Sequence, residues 1–479
     1  MKILMATSEF SPFASTGDLG GQVGILAAEL KRLGHDVSVV IPLYRTVRES
    51  KQDIRPVGTE FHVNLGAKRA TADILETTSD GIQVFMVRRD EYFDRSGIYG
   101  GDGRPYDDNA ERFIFFSKVA VEFAQRITPS PEIIHCHDWT AALVPVFVRD
   151  RQLPFRTILT LHNLEHQGSF WSFDFALTNL PGSYFSPTGV EFYGRLNFLK
   201  GGILHADAVT LPGETALFEA FTVQHSFGLD SVLRENHYKT FGVPHGVDYS
   251  VTNPPYEELI GKQRTSEDGK QISRQAILEQ LGLERDLKGI VYALPIESRD
   301  DGAFAGVKPF IDLILSGNAC LIATGKAPDP DIGDVIVAER KYPNLFSYLP
   351  EADARTRQLV LAGADAVLLP SSLGFRATTV LAAMRYATLP VVKFRGGIYQ
   401  IVSDYDPATD SGNGFVYSDY FPRALADSVR RANELYRQPV LWSQLGARAQ
   451  KVDMSWHESA TAFTKLYANL LRHRTAGSA

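Results

Sequence analysis

KILMATSEFSPFASTGDLGGQVGILAAELKRLGHDVSVVIPL, residues Lys2–Leu43, decides the fold. Lys2–Ala6 reads as a short buried strand, and Ser11–Gly21 as a loop rich in Gly, Ser and Pro. From Gln22 the apolar residues Val23, Leu26, Leu30 and Leu33 fall on one helical face, and Gly34 supplies the stop. Asp36–Leu43, rich in Val and Ile, returns as a second strand. The same alternation continues to about residue 215, with strands at Ile82–Arg88, Glu132–Cys136 and Arg156–Thr160. Continuous apolar strands separated by helices predict a parallel sheet covered on both faces. A second series opens near residue 289 with GIVYALPI, CLIATG, AVLLP and LPVVKF, and has helices at Asp353–Ala362 and Thr378–Tyr386. The fold class expected is α/β, as two doubly wound domains facing a cleft. The first covers residues 1–245, a polar linker 246–270, and the second 271–454. A C-terminal helix in 455–479 (its apolar pattern spans Ser455–Leu471) is expected to pack back on the first domain.

Composition narrows the functions. The 479 residues carry a formal net charge of −7 and no Lys/Arg block, which argues against a nucleic-acid partner. No apolar run is long enough for a bilayer, so no membrane partner is expected. The chain opens directly into a strand with no signal-like segment, so the expected compartment is the cytoplasm. The two cysteines, Cys136 and Cys320, read as core thiols.

Polar residues gather where strands end. Gly17, Gly20 and Gly21 lie between a strand and a helix start, a place where free N–H groups can hold an anion. Glycine also serves a plain tight turn there, and the G-x-G-x-x-G spacing of dinucleotide binders is absent. His137-Asp138-Trp139 stands just past a predicted strand, where side chains face the ligand crevice of an open α/β sheet. On local grounds Asp138 would cap the next helix. His162 follows the strand Arg156–Thr160. His135 and His137 share a strand face, but no further ligand cluster accompanies them and no metal is expected. Asp329-Pro330-Asp331 reads as an acidic loop.

SEFSPFASTGDLGGQVG resembles the opening of bacterial glycogen synthases and plant starch synthases. The likeness continues through YFDRSGIYG, DDNAERFIFFSKVA, IIHCHDWTAALVP, TILTLHNLEHQGSF, NFLKGGILHADAVTLP and GVPHGVD. It returns at LAGADAVLLPS, MRYATLPVVKFRGGI and MSWHESA. It implies the GT-B fold, two Rossmann-like domains, and transfer of glucose from ADP-glucose to an α-1,4-glucan. No cofactor is implied beyond the nucleotide-sugar substrate. Carried over by position, Thr16 and Gly17 belong to the donor-phosphate loop, Asp138 to the acceptor and glucosyl sites, and His162 to the transferred sugar. Trp139 joins Asp138 on the glucan side. Tyr92 or Tyr99 could offer a ring to glucan, with core packing the plain alternative.

The resemblance breaks on the donor side. The family's phosphate-binding lysine falls at Ser15, its second glycine at Asp18 and its aspartate at Gly21. Its Ser-Arg-Leu-x-x-x-Lys-Gly reads ESRDDGAFAGVK here, keeping Ser298 and Arg299 but placing Phe304 at the lysine. Its donor-side glutamate falls at Gly374. Fixed cations are what a departing diphosphate requires, and each lost contact typically costs about 10²–10³ in rate. Gly396 and Gly397 remain, and Arg376 and Arg395 are new charges beside the altered motifs. Lys308 reads as a solvated surface charge. Two readings follow. One is a synthase homologue impaired in ADP-glucose transfer that retains glucan binding or regulates an active synthase. The other is an active retaining transferase whose diphosphate site is rebuilt from Arg299, Arg376 and Arg395.

Overall fold

A computed structural model describes residues 1–49, 53–101, 104–246, 267–283, 288–296, 303–327, 329–370, 377–393, 401–418 and 423–476. Two compact units emerge, Met1–Gly246 with Trp456–Ala479, and Val247–Ser455.

The first unit is built on nine strands: β1 Lys2–Ala6, β2 Asp36–Pro42, β3 Arg55–Leu65, β4 Lys68–Ser79, β5 Ile82–Arg88, β6 Ile133–His137, β7 Arg156–Thr160, β8 Ala208–Pro212 and β9 Thr240–Val243. Their order is β9-β8-β7-β6-β1-β2-β5-β4-β3. β1 lies parallel between β2 (Lys2↔Asp36) and β6 (Ile3↔Ile133), with Ile3 to Ala6 buried, so the apolar run KILMA needs both neighbours and both faces covered. Pairing is antiparallel at one end, where β3 and β4 form a hairpin against β5. The expected parallel sheet therefore carries an antiparallel edge. In β3, Phe61, Val63 and Leu65 are buried while His62 and Asn64 are exposed, the alternation of a half-exposed antiparallel strand.

The first helix, Leu19–Arg32, begins three residues before the apolar periodicity does. It draws Gly20 inward, where a Cβ would sit 2.7 Å from the Ala14 carbonyl oxygen. The chain leaves the helix through Gly34 at φ +87°, a conformation that favours glycine. The C-terminal helix Trp456–Ala476 buries Trp456, Ala460, Phe463 and Tyr467 in the same core. Its Thr464 hydroxyl bonds His35 Nε2 at 2.9 Å, and its Tyr467 hydroxyl bonds His135 Nδ1 at 2.8 Å.

Among the described residues the second unit holds six parallel strands: β10 Val291–Pro295, β11 Cys320–Thr324, β12 Phe346–Leu349, β13 Ala366–Leu369, β14 Leu389–Lys393 and β15 Phe415–Tyr417, in the order β12-β11-β10-β13-β14-β15. A helix at Glu267–Gln280 is fixed to this sheet by buried Arg274, which bonds the Asp365 carboxylate and the Gly289 carbonyl. Asp329–Asp331 opens the helix Asp329–Lys341 and is not a loop. Cys136 and Cys320 are free and buried. Among the described residues no helix is long and apolar enough to cross a membrane.

Candidate active site

β1 is where the chain reverses its direction of strand addition, with β2 on one side and β6 on the other. Ligands of open α/β sheets bind beyond the carboxyl ends of strands at such a switch point. Ser8 and Glu9 follow β1, Asp138 and Trp139 follow β6, and His162 and Asn163 follow β7.

Glu9 organises the glycine-bearing loop. Its carboxylate, 3% exposed, accepts Thr16 N–H at 2.6 Å, Thr16 Oγ1 at 2.9 Å and Tyr99 Oη at 2.6 Å. Tyr99 Oη also lies 2.8 Å from Ser8 Oγ, which accepts from Thr140 Oγ1 at 3.0 Å. Two chain segments, at Thr16 and Tyr99, are thereby tied to one buried carboxylate, and charge-assisted bonds are the stronger kind. Thr16 and Gly17 remain exposed, and a Cβ at Gly17 would meet no atom within 4 Å. The loop thus leaves open space at Gly17 while being anchored from behind.

Asp138 does not cap the helix that follows it. Its φ is +55°, and its Oδ1 accepts the backbone N–H of His162 at 2.7 Å and of Asn163 at 3.3 Å. The side chain instead clasps the end of β7 to the end of β6. Burial raises the carboxyl to about 7, against the pull of those two N–H groups.

Four imidazoles line the same side. His135 and His137 rings lie 4.2 Å apart on one face of β6, as their spacing predicts. His137 Nδ1 meets His162 Nε2 at 3.0 Å, His162 Nδ1 meets Gln22 Oε1 at 2.9 Å, and the His245 ring lies 4.9 Å from that of His162. This network is satisfied with His162 protonated on Nδ1, toward the Gln22 oxygen, and His137 on Nδ1, toward His162. Both nitrogens of His162 are then engaged, and His137 Nε2 is a buried lone pair without a partner among the described residues. Burial pulls all four rings down, His135 to about 3 and His245 to about 4. Among the described residues no three His, Cys, Asp or Glu side chains could hold a metal ion.

Those shifts predict an acid-sensitive N-terminal unit. The rings are neutral when folded and titrate near 6.5 when unfolded, so their contribution is complete above pH 6.5 and is lost as pH falls through about 4. Asp138, raised to about 7, has the opposite sign, but one carboxyl opposes four rings. The Tm should fall between pH 6.5 and 4.5, and His135→Gln should flatten that slope. Equal slopes in the two proteins would exclude the buried rings as the cause.

Tyr92 is a correction. It is 1% exposed, its ring 5.1 Å from that of Phe115 and its hydroxyl on Glu111. A ring inside the core offers no face to a glucan. Half-buried Tyr99 and Trp139 lie 6.1 Å apart at the crevice, and Trp139 also packs edge-on to Phe113 at 4.8 Å. Arg299, Arg376, Arg395, Gly396 and Gly397 lie outside the described residues, as does Gly374. Phe304 is described: it is 1% exposed in the core of the second unit, its ring 6.2 Å from Phe346. Lys308 is exposed and paired with Asp334.

Sequence reasoning passed over the roles of Glu9, Gln22 and His245. All three stand inside the quoted motifs, but only tertiary contacts reveal what they hold. For Glu9 there was a usable signal, a carboxylate three residues past the apolar run Ile3–Ala6.

Comparison with known proteins follows the same regions. The model of the starch synthase catalytic domain family matches residues 2–235. The chain is 32% identical over 475 residues to the glycogen synthase of Syntrophotalea carbinolica, covering 98% of each. It is 31% identical over 478 residues to the glycogen synthase of Koribacter versatilis, again covering 98% of each. Among solved structures, the catalytic domain of starch synthase IV from Arabidopsis thaliana, bound to ADP and acarbose, matches with a TM-score of 0.75 at 25% identity. That match covers 98% of this chain and 99% of that one.

Proposed function

We propose a function from one premise: the chain belongs to the glycogen synthase and starch synthase family and has its GT-B glycosyltransferase fold. On this reading it binds α-glucan through its N-terminal unit and is impaired in elongating that glucan from ADP-glucose. Asp138, Trp139 and Tyr99 would meet the acceptor. His162 would meet the sugar nearest the reaction centre, and Thr16 and Gly17 would edge the donor site. A natural partner would be an active synthase working on the same polymer.

One observation carries the reading. Where the family places a phosphate-facing lysine, this chain has Phe304, and that side chain is built into the hydrophobic core. The change is thus more than a missing cation, because the position now serves packing. Ser15, at the loop's lysine position, donates its hydroxyl to the Gly17 carbonyl at 2.8 Å and carries no charge. Loss of two cations from a site that must stabilise a departing diphosphate is expected to remove useful turnover.

The test is titration calorimetry with ADP, ADP-glucose and maltoheptaose, alongside glucose incorporation into glycogen. The expected result is maltoheptaose binding with neither nucleotide binding nor incorporation. Incorporation that Arg299→Ala abolishes would overturn the reading in favour of a rebuilt diphosphate site using Arg299, Arg376 and Arg395.

A further inference from the structure

Beyond the crevice, the chain between β7 and β8 forms a small antiparallel sheet, with Arg195–Asn197 between Ser169–Phe170 and Glu191–Phe192. Around it stand exposed aromatic side chains: Trp171 is 65% exposed, Phe173 71%, Tyr193 82% and Phe227 56%. Trp171 and Phe173 follow the first strand with their rings 4.6 Å apart, and Tyr193 caps the hairpin. Phe227 joins them because its carbonyl accepts from Gln167 Nε2 at 3.0 Å, and Gln167 also bonds Asn197 at 2.8 Å.

Two of these rings sit on backbone that disfavours them. Tyr193 has φ +49° and Phe227 φ +51°, the left-handed region that glycine enters freely and bulky residues seldom do. Each is followed by a glycine, so glycine is available at these turns and the aromatic residue is nevertheless the one used. Exposed rings held at a conformational cost point to a use outside folding.

The nature of the occupant follows from the surroundings. The patch continues into the crevice: Phe170 packs 5.7 Å from the Trp139 ring, and a Cβ on Gly168 would sit 2.6 Å from that indole. A ligand running out past Asp138 and Trp139 would meet Trp171 next. The charges of the small sheet are already engaged, since Arg195 donates to Ser169 Oγ at 2.9 Å and Glu191 accepts from Gly194 N–H at 2.7 Å. The surface therefore offers exposed rings and satisfied polar groups, which suits an uncharged partner that is apolar on its faces and hydroxylated at its edges. A glucose ring has those properties. We propose that Trp171, Phe173, Tyr193 and Phe227 form an extended α-glucan platform that holds a chain beyond the crevice. The proposal rests on the glucan-binding reading above and adds a length requirement to it.

The experiment compares maltotriose with maltoheptaose by titration calorimetry in the parent, in Trp171→Ala, and in the double variant Tyr193→Gly/Phe227→Gly. Both variants should bind maltoheptaose about tenfold more weakly and maltotriose as the parent does. The double variant should keep a Tm at or above the parent's, because glycine relieves the backbone at both turns. Unchanged maltoheptaose affinity would overturn the platform, as would equal weakening of both oligosaccharides. So would a dimer, seen by analytical ultracentrifugation, that Trp171→Ala dissolves, since the patch would then pair two copies. If the parent binds neither oligosaccharide, the glucan reading itself fails, a result distinct from the failure of the platform alone.

Discussion

Phe304→Lys, which writes the family's lysine back into this chain, is expected to unfold the second unit and to restore no donor binding. The side chain at this position is 1% exposed and packs with Ala303, Val307 and Phe346. The helix that carries it lies tight against the end of β13, for a Cβ on Gly306 would come within 2.9 Å of Pro370. Removing a buried phenylalanine costs about 3–5 kcal/mol in lost transfer energy and cavity. Leaving an ammonium there unpaired adds several kcal/mol more. The sum approaches the whole stability of a typical domain, about 5–15 kcal/mol. Denaturant unfolding should show the loss of one cooperative transition. Phe304→Leu, a smaller hydrophobe, should cost only about 1–2 kcal/mol. The other lysine position behaves oppositely. Ser15 is exposed and makes one side-chain hydrogen bond, so Ser15→Lys should leave the Tm within about a degree. A folded Phe304→Lys protein that binds ADP-glucose would sink this argument, because the position would then be one substitution away from the family's site.

The contrast between these positions bears on what the sequence could tell. That both lysines are missing is visible by matching motifs. That one position has become core and the other has stayed open is not, since burial depends on what the rest of the unit places around it. The same holds for the fold. Lys2–Ala6 and Arg156–Thr160 are strands as the apolar runs indicate, because a strand buried on both faces announces itself without its neighbours. The β3–β4 hairpin is written in a weaker alternation beneath a polar surface, and the apolar-run pattern does not reveal it. At the site, Asp138 and His162 could be placed together because both follow strands of one parallel sheet, and they meet at 2.7 Å. The clasp of Glu9 on Thr16 is set by tertiary contacts, as is the burial of the Tyr92 ring. An aromatic residue in a motif looks the same whether its ring turns outward or inward.

Arg112 is the second place where a single change should have a large effect, and its role reaches the site through three steps. The guanidinium is fully buried, and among the described residues no carboxylate accepts a hydrogen bond from it. It donates to Tyr92 O at 2.7 Å, Ile98 O at 2.9 Å and Asn109 Oδ1 at 2.5 Å, and it packs over the Phe113 and Tyr106 rings. Burial lowers its pKa, yet an arginine stays protonated, so the charge remains and is met by dipoles and rings. Its acceptors bracket the segment Tyr92–Ile98, which leads directly into Tyr99. Tyr99 holds Glu9, and Glu9 holds Thr16 of the loop. Arg112→Leu would orphan three buried acceptors at about 1–3 kcal/mol each, partly offset because no charge then needs burying. A net loss of about 3–5 kcal/mol is expected, which for a unit of this size lowers the Tm by roughly 10 °C. Weakened maltoheptaose binding should accompany it as Tyr99 and the loop come free. Tyr99→Phe separates the two effects: it keeps the segment packed and cuts only the hydroxyl's ties to Glu9 and Ser8, so binding should suffer with little change in Tm. Arg112→Lys decides what the residue supplies. A lysine keeps the charge but has no planar fork to reach three acceptors in different directions, so it should be nearly as damaging as leucine. Full stability in Arg112→Lys would mean that charge alone, and not the fork, holds the segment in place.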